Sequence, residues 1–139
     1  MKKAFSAIIV SMLALSLFLS FNVNEASAAF TCSSTDVKCK AAKMYYGEQQ
    51  YVASGSAYFN IGETILFEWD NDNPGIMQVN FSVRNSAGTR VSKELVAAGR
   101  IGSNFGTWTV TSSGYYYLFA ACEGGNDTRC VGGGVIKKF

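Results

Sequence analysis

In residues 76–85, Met77, Val79, Phe81 and Val83 alternate with Gln78, Asn80, Ser82 and Arg84. A period of two turns one set toward a core and the other toward water, as a strand on a half-buried antiparallel sheet requires. The same period recurs in residues 64–70. There Ile65, Phe67 and Trp69 point one way, and Thr64, Leu66, Glu68 and Asp70 the other. Residues 115–122 contain three consecutive tyrosines and are apolar on both faces, which predicts a central strand. Weaker strands are expected at residues 58–61, 90–96, 107–111 and 131–137, the last thinned by Gly132, Gly133 and Gly134.

Turn-forming residues separate these runs. Asn71-Asp72-Asn73-Pro74-Gly75 holds the only proline, and residues 85–89 around Gly88 read as a hairpin-type turn. Residues 99–106 are expected to be a loop and residues 123–129 a hairpin loop. The pattern predicts an all-β fold: a single antiparallel β-sandwich, jelly-roll or immunoglobulin-like, of about seven short strands. Residues 29–50 are expected to be irregular, with a helical turn or two over residues 38–46 ending at Gly47.

The N-terminus has a different composition. Lys2 and Lys3 precede an apolar run over residues 4–21, then Ala26-Ser27-Ala28. That is the layout of a secretory signal peptide, which suggests bacterial secretion although eukaryotic signals share it, with cleavage expected after Ala28 and cleavage after Ala29 the near alternative. Ser6, Ser11, Ser16 and Ser20 dilute the run and argue against an uncleaved membrane anchor. The expected organisation is a signal peptide at 1–28 and one domain at 29–139. The mature protein is then secreted and extracellular, with no stable membrane insertion.

The chain has four cysteines, all beyond residue 28. In an exported chain an even count predicts disulfides. The sequence-local pairing, Cys32–Cys39 with Cys122–Cys130, is favoured because turn-forming residues separate each pair. Each loop closed in this way contributes roughly 2–3 kcal/mol by the chain-entropy estimate. A four-cysteine zinc site is disfavoured, because zinc ligand pairs usually have two to four intervening residues and these have more.

There is no histidine in the chain. This excludes Ser-His-Asp and Cys-His mechanisms and His-bearing metal sites. The formal net charge of +2 falls to +1 when Lys2, Lys3 and Glu25 leave with the signal peptide. So small a charge makes no electrostatic case for nucleic acid.

Three sets of residues are candidates for function. Glu68 and Asp70, about 7 Å apart on one strand face, offer the carboxylate pair of a glycan hydrolase, with Glu63 nearby; the plainer reading is the polar face of a strand. Asp70 and Asp72 are candidate calcium ligands, although Pro74 and Phe81 stand where a calcium loop needs oxygen donors. A turn rich in Asn and Asp explains them as well, and no cofactor is expected apart from that calcium. Aromatic residues form the third set, for the chain has two Trp, seven Tyr and ten Phe. Tyr45, Tyr46, Tyr51 and Tyr116 are the expected exposed platform. Trp69, Trp108, Phe67 and Phe81 are expected in the core.

The stretch from Gly106 through Thr107-Trp108-Thr109-Val110-Thr111-Ser112-Ser113-Gly114 to Tyr115-Tyr116-Tyr117-Leu118 resembles the penultimate-strand region of extracellular sandwich domains. Immunoglobulin-like domains and the small jelly-roll modules appended to secreted bacterial proteases share its Ser-Gly-x-Tyr step. The resemblance implies the fold class and no activity. It departs from immunoglobulins in lacking an upstream cysteine where a partner for Cys122 would sit. The function expected is that of a secreted, non-enzymatic binding protein, its partner a protein or glycan at the cell surface or in the extracellular matrix. A small antimicrobial or toxin-like protein and a carboxylate-dependent hydrolase are the alternatives.

Overall fold

The computed structural model describes residues 30–139; the signal-peptide reading lies outside the described residues. The described chain is all-β apart from one 3-10 turn at Glu123–Gly125. Its strands are β1 (Lys40–Met44), β2 (Tyr51–Ala53), β3 (Ala57–Phe59), β4 (Thr64–Asn71), β5 (Val79–Asn85), β6 (Leu95–Ala97), β7 (Ser103–Thr109), β8 (Gly114–Cys122) and β9 (Gly132–Lys138). They form two sheets. The first has the order β1-β9-β4-β7; the second runs β2-β8-β5-β6, with β3 also paired to β8. Every pairing between these strands is antiparallel.

The alternation read from the sequence is the alternation that is buried. Along β4, Ile65, Phe67 and Trp69 are at most 1 % exposed. On β5, Val79, Phe81 and Val83 are fully buried. The two faces share one core that also takes in Met44, Leu118 and Ile136. Phe67 of the first sheet meets Phe81 of the second edge-on, ring centres 6.0 Å apart. Each such ring removes a large apolar area from water, about 25 cal/mol per Å², which is what keeps the two sheets together.

Both disulfides take the sequence-local pairing, Cys32–Cys39 and Cys122–Cys130. Cys122 and Cys130 are fully buried, so this bridge is part of the core as well as a loop closure. Two disulfides are at home in an oxidising, non-cytoplasmic compartment. Among the described residues, no helix is long and apolar enough to cross a membrane.

Several expectations are corrected. The helical turn expected at residues 38–46 is the strand β1: its ladder to β9 and the burial of Ala42 and Met44 outweigh a weak helix preference. The loop expected at residues 99–106 contains the start of β7, masked by Ser103, Asn104 and Gly106. Residues 90–96 supply only a bridge at Arg90 and the beginning of three-residue β6. Residues 123–129 do not close a hairpin. They carry the chain from β8 in the second sheet to β9 in the first.

The glycines of β9 do not place it at an edge; it lies between β1 and β4. Gly134 is opposite Trp69, and a Cβ there would come within 2.5 Å of the indole and 2.4 Å of the Glu68 carbonyl oxygen. The missing side chain makes room for the largest residue in the core. Tyr116 is the remaining correction. It is 4 % exposed, packs edge-on against Trp108, and donates its hydroxyl hydrogen to the Ser112 carbonyl four residues upstream. The arrangement is that of the tyrosine corner seen at strand starts in sandwich domains.

Candidate functional site

The expected site residues fall in three places. Tyr45 and Tyr46 are about half exposed and, together with Asp72, line a small depression of about 60 Å³. Lys43 extends its ammonium to 5.1 Å from the Tyr45 ring centre. Tyr51 is on β2, at the edge of the second sheet. Tyr116 is inside.

The carboxylates are spread over the first sheet. Glu68 accepts a hydrogen bond from Lys137 Nζ at 2.9 Å. Burial and the neighbouring Glu68 charge push the Asp70 carboxyl above its ordinary pKa. Asp72 is nearly buried in the turn after β4, where its carboxylate accepts the Asn73 N–H at 2.8 Å. Among the described residues no three Cys, Asp or Glu side chains converge as metal ligands. Neither Glu68 nor Asp70 lines the depressions beside Tyr45, Tyr51 and Tyr58.

The aromatic side chains converge on the second sheet. On β8 the inward positions are Tyr116, Leu118, Ala120 and Cys122. The intervening Tyr115, Tyr117 and Phe119 therefore face outward, at successive spacings of about 7 Å. Register brings neighbours to them. Tyr58 of β3 is directly opposite Tyr115, and the two rings meet edge-on at 5.3 Å. Tyr51 of β2 stacks on Phe119 at 5.9 Å between centres and 25° between planes. From the other flank, Arg84 of β5 sets its guanidinium carbon 3.7 Å from the centre of the same ring.

This face stays in contact with water. Tyr51, Tyr115 and Tyr58 are 61 %, 56 % and 45 % exposed. Two open depressions run beside the rings. One, of about 400 Å³, is lined by Tyr51, Ser54, Ser56, Tyr117 and Phe119 among others. The other, of about 390 Å³, is lined by Lys38, Lys40, Ser56, Tyr58, Asn60 and Tyr115 among others. Ser56 belongs to both, so the two adjoin where the edge strand breaks between β2 and β3. At that break Leu118 N–H donates to the Ser54 hydroxyl at 2.9 Å, and Ser54 N–H donates to the Leu118 carbonyl. A backbone ladder held in this way positions the rings without needing their burial.

The arrangement offers flat apolar rings, hydroxyls and cations on a rigid sheet. It has the means to stack and to hydrogen-bond a ligand. Tyr58, Tyr115, Tyr117, Phe119 and Arg84 were not among the residues expected from sequence. The sequence carries no signal that singles them out, because residues 115–122 are apolar on both faces and only the fold turns one face outward. Compared with known proteins, the chain matches no family model and no curated protein.

Proposed function

We propose that this chain is a secreted, non-enzymatic binding protein of the bacterial extracellular space, released by cleavage of a signal peptide at residues 1–28. The finer fold reading is a jelly-roll or immunoglobulin-like sandwich used as a rigid platform. Its ligand is a glycan, gripped by the outer face of the second sheet. The observation that carries this reading is the row of outward rings, Tyr58, Tyr115, Tyr51 and Phe119, held on one sheet and open to water. A core has no use for rings placed there, and contiguous exposed apolar surface marks interaction sites. Sugar rings have apolar faces that stack on aromatic side chains and hydroxyls that pair with polar groups such as Ser56. The two disulfides support the extracellular setting.

A panel of immobilised cell-wall and matrix polysaccharides tests the proposal. Retention of the wild-type protein by at least one polymer, with retention lost in Tyr51→Ala and Tyr115→Ala but kept in Tyr45→Ala, supports it. Retention unchanged by both substitutions on the face, or no retention on any polymer, removes it.

A further inference from the structure

We infer that the ligand of the aromatic face is an anionic glycan with carboxylates along its chain, selected by Lys40 and Arg84. This rests on the reading of that face as a glycan platform and adds the charge of the ligand.

The argument is one of charge complementarity. Neither depression beside the rings is lined by Asp or Glu, while Lys38 and Lys40 both line the second. Lys38 is already neutralised, donating to Glu63 Oε1 at 2.6 Å. Among the described residues, Lys40 has no carboxylate partner. Its alkyl stem passes Gly55, with Cδ 3.4 Å from where a Cβ would stand, so the stem crosses toward the break between β2 and β3. Lys40 thus lines the cleft that also holds Tyr58 and Tyr115.

Arg84 is the matching cation on the opposite flank of β8. Its Nη1 donates to the Gly88 carbonyl at 3.4 Å and its guanidinium carbon lies over Phe119, with no carboxylate on it among the described residues. Guanidinium groups suit carboxylates because two N–H donors match two oxygens. Two uncompensated cations therefore flank a row of rings that has no acidic residue in its depressions. A uronate polymer carries a stackable ring and a carboxylate in every unit and meets both features at once. A ringless anionic polymer would use the cations and leave the aromatics idle.

The probes are polygalacturonate, the same polymer fully methyl-esterified, and phosphatidylglycerol vesicles. Affinity is measured by calorimetry for the secreted protein and for Lys40→Met, Arg84→Met, Arg84→Lys and Tyr115→Ala, with circular dichroism confirming that each variant folds. Polygalacturonate is expected to bind at least about tenfold tighter than its ester, the loss expected when a charge-assisted hydrogen bond is removed. Lys40→Met and Arg84→Met should each weaken binding about tenfold, with partial recovery in Arg84→Lys, and added salt should weaken it further. Equal binding of acid and ester, both sensitive to Tyr115→Ala, would overturn the inference and leave the platform standing. Binding indifferent to Tyr115→Ala would take down the platform reading as well, whereas no binding to either polymer would overturn the inference and leave the platform to the polysaccharide panel. Vesicle binding as strong as polygalacturonate binding would overturn the inference in favour of unspecific charge attraction.

Discussion

The guanidinium of Arg84 lies over the face of Phe119, 3.7 Å from its centre. The two residues are diagonal neighbours on adjacent strands, since Arg84 is paired with Tyr117 and Phe119 with Ser82. A cation over a ring at a partly exposed site is worth about 0.5–1 kcal/mol. Arg84→Met keeps an apolar stem over the ring and removes the charge. Its unfolding free energy in urea should fall by about 0.5–1 kcal/mol. A change below the error of the measurement would mean that the contact does not contribute to the fold.

Asn71 ties the two sheets together at one end. Its side-chain oxygen accepts the Trp69 indole N–H at 3.1 Å, and its amide donates to the carbonyls of Ala97 at 2.8 Å and Gly99 at 2.7 Å. Asn71→Ala strands two buried groups and a partly buried one and should cost about 2–4 kcal/mol. Asn71→Asp should cost more, because a carboxylate cannot donate to two carbonyls and repels them. Urea unfolding followed by Trp fluorescence measures both.

Acid should weaken the ion-pair cluster that joins the N-terminal segment to β9. Glu63 is bonded to Lys38, to the Asn60 N–H and to Lys138, and these hold its carboxyl at about 2, against an ordinary value of 4.5. A folded-state pKa below the unfolded one adds stability that is complete above about pH 4.5 and lost as the pH falls toward 2. Asp127, held at about 2 by Arg129, loses its share over the lower part of the same range. Glu63→Gln should therefore flatten part, not all, of the decline in urea midpoint between pH 5 and pH 2.

Asp70 has the opposite sign. Burial and the Glu68 charge raise its pKa in the folded state, so ionisation subtracts stability as the pH rises through that interval. Asp70→Asn should raise the urea midpoint at pH 7, and the gap should close at a pH where the wild-type carboxyl is protonated. A lower midpoint at pH 7 would show that the charge has a stabilising partner.

Much of the fold was legible because burial on a sheet leaves a period of two. Ile65, Phe67 and Trp69, and likewise Val79, Phe81 and Val83, announced both their strands and their inward faces. The disulfide pairing was legible from loop length and turn residues. The early strand β1 and the start of β7 were not. Lys40-Ala41-Ala42-Lys43-Met44 suits a helix locally, and Ser103, Asn104 and Gly106 suit a loop. Each becomes a strand only because a neighbour offers its free ladder. The candidate site was legible only in part. Tyr51 was expected on an exposed platform, whereas its neighbours Tyr58, Tyr115 and Phe119 come from segments up to about 70 residues distant in the chain.

Residue order alone determined the all-β character, the two short disulfide loops and the exclusion of histidine-based chemistry, since all three follow from local pattern or composition. The tertiary structure decided which face of β8 looks outward. Three tyrosines in a row have no local preference between core and solvent. Phe59, Trp108 and the Ser112 carbonyl claim Tyr116 from one side, while register with β2, β3 and β5 gathers the other rings and Arg84 on the opposite face. A period of two supplies two faces, and only the partner sheet chooses which is buried.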